Sequence, residues 1–472
     1  MSEVIERRTI SHIPENERHG KAVSLFPFWF SGNTSVLTML SGAIGIEFGL
    51  SLPLTLVALM LGAAVGGIFM AYHSAQGPKL GLPQMIQTRA QFGFFGSLVP
   101  SSAVMVIFLG FIIGENVFGS QALAGLLHIT FVEAMALNCF VTWLVVVFGY
   151  RILHDVNRVA AGLSLVFIVV LFFELVGPAS RAHYHPAPFS ASSFFLLFTI
   201  GAAGQIGWAP YVSDYSRYLP AGTSVKQTFW YTYLGTTIGA VIGQVIGALA
   251  GVVALSSVNA DAVGFLASRV AGISSLVVLV LFFSILAGNA INLYSPLVTS
   301  LACVSPSGGS APGAVVRSVG SGIIIGVTGW IATIVSSNFL ADLADFQSFL
   351  LYLLIPWSAI NLIDYYVVKK GKYSVRDILS VDGRYGLFNV STVVVFVLAI
   401  AAEVPFMNSA WPKFEGPVAH ALAGVDLSWL VGFVVAGGLY YLSATLRPAE
   451  VKGRTPRVRE SEPEFLGGLA TE

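Results

Sequence analysis

Four polar side chains fall in stretches that are otherwise apolar: Glu115, Gln205, Asn289 and Asn292. Glu115, in FLGFIIGENVFGSQAL, stands about 18 residues into a hydrophobic run that begins near residue 97. An ionised carboxyl facing lipid costs about 3 kcal/mol, so Glu115 is expected to face a polar interior, where burial disfavours its charged form. It then either loads and releases H⁺ or stays protonated as a neutral hydrogen-bonding group. Phe111 precedes it by four residues and shares its helix face. Asn289 and Asn292, in SILAGNAINLYSPLVTS, are three apart on one face. Buried amides without partners cost several kcal/mol, so the pair either binds solute or ties helices together. Two on one face, at the depth of Glu115 and Gln205, favour a site. The chemistry on offer is recognition and proton binding rather than covalent catalysis. No HExxH, GxSxG or phosphate-loop motif occurs, so neither an enzyme nor an ATP-driven pump is expected.

The elements that must hold these groups are membrane helices. Of the 472 residues 55% are hydrophobic and only 10% charged, with a mean hydropathy of +0.79. Apolar runs of about 20 residues, long enough to span a bilayer, recur across 26–50, 53–75, 97–124, 131–149, 157–178, 193–215, 228–254, 272–300, 318–338, 347–368, 388–407 and 427–446. Twelve spans put both termini on one side. If that side is cytoplasmic, all of the 24 Lys and Arg residues except Arg181, Arg269 and Lys413 fall inside or in the cytoplasmic tails, as positively charged inner loops require. A polar, mixed-charge tail over 1–25 carries no signal-peptide pattern, and the tail over 447–472 is expected to be disordered. Cys139 and Cys303 lie in separate spans and give no metal or disulfide pattern.

Two spans carry interruptions. GAAGQIGWAPYVSDYSRYLP, Gly201 to Pro220, clusters Gly201, Gly204, Gly207 and Pro210 in mid-membrane. An irregular backbone is tolerated there only where it lines a cavity or is held by protein, so a broken helix marks a solute site. In the first span Ser41, Gly42 and Ala43 are small and polar enough to unwind, and this is where a second break is expected. Spans one and six lie five apart, and spans one to five run opposite to spans six to ten, the arrangement of an inverted-repeat transporter. Between spans two and three, GPKLGLPQMIQTRAQFGFFG reads as an amphipathic segment on the inner face. His73, near an inner helix end, reads as a side chain that can snorkel. Asp214 and Arg217, at the inner end of span six, read as an ion pair and part of an inner gate.

At GWAPYVSDYSRYLP, Gly207 to Pro220, the sequence resembles the purine and cytosine permease branch of the nucleobase cation symporter family. GPKLGLPQMIQTRAQFGFFG, FGSQAL in span three and NLYS at Asn292 to Ser295 resemble the same branch in the same order. The resemblance implies an all-α membrane fold with a five-plus-five inverted-repeat, LeuT-like core and two additional helices. It also implies uptake of nucleobases or related heterocycles coupled to H⁺ or Na⁺. By position, Asn292 matches a substrate-binding Asn of the family. Glu115 stands where the branch usually has a substrate-contacting Asn, and Phe111 where it usually has a stacking Trp.

The reading as a whole is a twelve-helix transporter domain over 26–446, with inverted repeats at about 26–178 and 193–368 and extra helices over 388–446. It imports a nitrogenous heterocycle such as cytosine, a purine, hydantoin or allantoin across the cell membrane, plasma or inner, with both tails cytoplasmic. The backbone at Ser41 and Gly42 would converge on the ring with Phe111, Glu115, Gln205, Trp208, Asn289 and Asn292. A cationic substrate, thiamine-like or an amine, held by ionised Glu115 is the alternative in the same class. A channel or membrane sensor is the alternative in another class. Neither a metal, a cofactor nor a nucleic acid partner is expected. The usual sodium site of this fold places Ser or Thr hydroxyls five or six residues before the Asn of NLYS, where this chain has Ala287 and Leu286, so H⁺ is favoured over Na⁺.

Overall fold

The computed structural model describes residues 11–446 apart from 149, 271, 305–313, 336–338 and 410–413. The tail over 447–472 lies outside the described residues. So do the first ten residues of the N-terminal tail, with Arg7 and Arg8, and the side chains of Arg151, Arg158, Tyr294, Pro296 and Arg317. The described chain is helical except for turns and one two-residue antiparallel strand pair, Asn408–Ser409 with Phe414–Glu415. Each apolar run coincides with a helix or a pair of helices. In order they are α1 (Leu25–Gly32), α2 (Val36–Glu47), α3 (Leu52–Ser74), three one-turn helices α4 (Gly77–Leu80), α5 (Gln84–Gln87) and α6 (Arg89–Phe92), α7 (Leu98–Leu127), α8 (Phe131–Phe148), α9 (Tyr150–Arg181), α10 (Ala191–Ile206), α11 (Val212–Ser216), α12 (Val225–Ala260), α13 (Ala262–Ser268), α14 (Ser274–Val304), α15 (Ala314–Val335), α16 (Phe339–Leu362), α17 (Val375–Leu379), α18 (Val390–Glu403), α19 (Pro417–Ala421) and α20 (Ser428–Thr445). Seven of the described helical stretches are long and apolar enough to cross a membrane by length and composition.

The interruption after α10 falls where the glycines and proline predict it. α10 stops at Ile206, a 3₁₀ turn covers Ala209–Tyr211, and α11 resumes at Val212. Pro210 has no N–H to continue the α-helical ladder. The interruption in the first span falls elsewhere. Ser41 and Gly42 lie inside the continuous helix α2, and the break is at Asn33, Thr34 and Ser35. Its cause is local: Ser35 caps α2 by accepting from the Thr38 N–H at 3.3 Å, and Asn33 turns its amide back onto the Trp29 carbonyl at 2.9 Å. The stretch SGNTS therefore carries both a helix stop and a helix start.

Both halves of the first span lie along one stripe of α12. Gly235, Gly239, Gly243, Gly247 and Gly251 recur every four residues on that helix. A Cβ at Gly235 would fall 2.5 Å from the Phe26 carbonyl oxygen, and one at Gly239 2.5 Å from that of Phe30. Farther along, Gly243 faces the Asn33 carbonyl, Gly247 meets the Met39 carbonyl, and Gly251 faces Ile46. From the other side, Gly42 of α2 presses on the Gln244 carbonyl and the Ala248 nitrogen. The small residues of the first span thus serve close helix packing rather than unwinding. α3 and α10 meet in the same way, with Gly62 and Gly66 against the backbone of Phe198 and Ala202, and Gly201 against that of Leu59.

The segment after α3 is no surface amphipath. Every residue from Leu80 to Phe94 is buried, because its polar groups find partners among helix ends. Gln84 donates its backbone N–H to the Asp214 carboxylate at 2.8 Å, Gln91 donates to Asp364 at 3.0 Å, and the Arg89 guanidinium lies 3.9 Å over the Phe94 ring. His73 is likewise fully buried rather than snorkelling. Its Nε2 pairs with Ser358 Oγ at 2.8 Å and its Nδ1 with Gln84 Nε2 at 3.1 Å, and its ring stacks on Trp357 at 4.7 Å and 5°. A neutral ring donating from Nε2 and accepting at Nδ1 satisfies both.

Candidate functional site

The two broken spans meet across a buried polar triad. Gln205, one residue before the end of α10, donates from Nε2 to Asn33 Oδ1 at 3.2 Å. Its Oε1 accepts from the Thr236 hydroxyl of α12, which in turn accepts from Asn33 Nδ2 at 2.9 Å. The Gln205 amide therefore ties break to break. Trp208, half-buried in the 206–209 turn, sets its ring edge-to-face against Trp29 of α1 at 5.6 Å and against Tyr211 at 5.3 Å. It bridges the first half of the first span, α1, to the interruption.

α7 also packs on that turn. Cζ of Phe111 lies 3.0 Å from where a Cβ on Gly207 would be, so only a glycine leaves room for the ring as it stands. The Phe111 ring also sits edge-on to Phe346 of α16, 5.2 Å between centroids and 86° between planes. One helical turn farther, Glu115 is 7% exposed. Its Oε1 lies 3.2 Å from the Cβ position of Gly288 on α14, so the carboxyl rests against bare backbone beside Asn289.

Asn289 is fully buried and donates to Asn116 Oδ1 at 2.7 Å. Asn116 also accepts from Asn138 of α8 at 3.1 Å and donates to Thr328 of α15 at 3.4 Å. Asn289 is thus part of a cross-helix network, and its own Oδ1 has no partner among the described residues. Asn292, three residues along α14, is 6% exposed. Ser41 reaches across from α2 to Gln347 of α16. Asp214 and Arg217 are held by their surroundings: Asp214 accepts from Gln84, while Arg217 donates to the Asp214 carbonyl at 3.2 Å and to the Ser11 carbonyl at 3.3 Å.

Phe111 therefore packs on the 206–209 turn and Gln205 stands just before it, while Glu115 lies one helical turn along α7 against α14, and Ser41 reaches the Gln347 amide that faces Gly204. Asn33, Thr236, Gln347 and Asn116 are polar residues of this region that sequence reasoning passed over. Asn116 had a signal, as a second polar residue directly after Glu115.

The family of permeases for cytosine/purines, uracil, thiamine and allantoin matches this chain over residues 12–432. The chain belongs to that family. It is a multi-pass membrane protein of a permease family, not an enzyme family. The permease is 37% identical over 445 residues to YxlA of Bacillus subtilis, a candidate purine-cytosine permease, covering 93% of this chain and 95% of that one. It is 25% identical over 473 residues to the purine-cytosine permease fcyB of Emericella nidulans, covering 95% and 89%. Its fold is that of Mhp1, a nucleobase-cation-symport-1 family transporter solved in a closed conformation with bromovinylhydantoin bound. That likeness has a TM-score of 0.70 at 17% identity and covers 93% of this chain and 95% of that one. The permease is accordingly an all-helical transporter of the LeuT-like class.

Proposed function

We propose that the permease is a secondary active symporter that imports a nucleobase or related nitrogenous heterocycle. The observation that carries this reading is a flat apolar ring, Phe111, packed on the glycine turn that interrupts α10 and α11, with a buried carboxyl, Glu115, one helical turn along α7 against Gly288 of α14. A stacked aromatic is worth about 1 to 3 kcal/mol per base and tolerates different bases, while amides and a carboxyl read the donor and acceptor edge that a bare hydrocarbon pocket cannot. The names of the relatives support the same class: two are purine-cytosine permeases, one by provisional assignment, and a solved neighbour holds a hydantoin.

On this reading twelve helices cross the cell membrane, both termini are cytoplasmic, and spans one to five and six to ten form two inverted repeats. Asn292 addresses the ring edge. Asp214 and Arg217 belong to the inner gate, braced by the buried 80–94 segment. The coupling ion is H⁺, carried by Glu115 or linked to its protonation. The side chains of Ala287 and Leu286 offer no oxygen ligand to a hard cation. A second reading, a cationic ring paired with ionised Glu115, is supported by the inclusion of thiamine in the family's range.

The test is accumulation in proteoliposomes of radiolabelled cytosine, adenine, hydantoin and thiamine under imposed ion gradients. Concentration of one ring above the outside level supports the symporter. Mere equilibration indicates a channel, and no movement of any of them removes the substrate class.

A further inference from the structure

We infer that Gln347, on α16, is a specificity-determining contact to the carried ring, an assignment that rests on the heterocycle reading above. The residue is 4% exposed, and Phe346, Leu350 and Leu351 around it on α16 are apolar and largely buried. Its face points at the interrupted span. Gln347 Nε2 lies 3.9 Å from the Cβ position of Gly204, and Leu350, three residues on, lies 3.3 Å from that of Gly207. The two contacts run in step along α10 and α16, so the Gln347 amide stands one turn from the place where Phe111 meets Gly207. The residue before it, Phe346, is the ring that abuts Phe111.

The amide is weakly held. Among the described residues its oxygen and nitrogen both turn to the single hydroxyl of Ser41, at 3.4 and 3.3 Å, the long end of the hydrogen-bond range. One N–H and one acceptor lone pair remain unused. A carboxamide presents a donor beside an acceptor, and so does the edge of an amino- or oxo-substituted nitrogen ring. The two can form paired hydrogen bonds of the kind by which Gln reads adenine. Exchange of Ser41 for the ring edge lets the permease reject rings of the same size that present two donors or two acceptors side by side, because a mismatched edge leaves buried polar groups unpaired.

Binding of cytosine, adenine, hypoxanthine and uracil to the purified protein in detergent tests this, measured by calorimetry for wild type, Gln347→Leu and the near-isosteric Gln347→Glu, with thermal melting as the check on folding. The expected result is a loss of about tenfold or more in affinity for the preferred ring in Gln347→Leu, and a changed order of preference among the four rings in Gln347→Glu. Wild-type protein that binds a ring while both variants bind all four rings with wild-type affinity and order overturns the role of Gln347 and leaves the substrate class standing. Wild-type protein that binds none of the four overturns the heterocycle reading and this assignment with it.

Discussion

Phe111 Cζ occupies the space that a side chain on Gly207 would need, 3.0 Å from the Cβ position. Gly207→Ala therefore has to move the ring, the Leu350 methyl at 3.3 Å or the turn itself. Overpacking of this kind costs about 1 to 3 kcal/mol. The variant is expected to melt at a lower temperature and to bind ring substrate about tenfold more weakly. Unchanged affinity would show that the position of Phe111 is irrelevant to binding.

Phe111 itself can be graded. Phe111→Ala removes a stacking face and is expected to weaken ring binding about tenfold, within the range measured for single stacked bases. Phe111→Trp, the residue usual in the related permeases, is expected to keep binding and shift the preference among ring sizes. Equal dissociation constants for all three proteins would take Phe111 out of the site.

Asn289 and Asn292 are expected to part company. Asn289→Ala breaks the link to Asn116 and leaves a buried amide short of a partner, a loss of about 1 to 3 kcal/mol, so both melting temperature and uptake fall. Asn292→Ala is expected to abolish uptake while membrane expression and melting temperature stay at wild-type values. Normal uptake kinetics in Asn292→Ala would sink its assignment to the ring.

Glu115→Gln keeps the shape of the side chain and removes the titrating group. Wild-type uptake is expected to be driven by an inward proton gradient, with Glu115→Gln binding the ring yet failing to concentrate it. Wild-type uptake that follows sodium and ignores the pH difference would remove the proton. A Glu115→Gln protein that still accumulates substrate on a pH gradient would remove Glu115 from coupling.

The sequence showed the helices because a bilayer demands long apolar runs, and it showed the α10–α11 interruption because Gly207 and Pro210 act locally on the backbone. It misplaced the first interruption because smallness has two uses. Ser41, Gly42 and Ala43 look like a weak point, but Gly42 is small to admit the α12 backbone, and the true stop is written in the capping residues Gly32 to Ser35. Gln347 was passed over because one amide among leucines and phenylalanines has no local signature. Its meaning comes from Ser41, 306 residues away. The His73 network is equally non-local, joining residues 285 positions apart.

The glycine stripe of α12 also constrains how the protein can change shape. The first span rests on α12 by backbone against backbone, and α3 rests on α10 in the same manner. Peeling either pair apart would open a slot too narrow for a lipid tail to fill and forfeit the dispersion contacts along its whole length. A rearrangement that moves each pair as one body keeps those contacts. The glycines then decide which helices are cast in one piece, and a methyl group added at these contacts would press on the facing helix and push the pair apart.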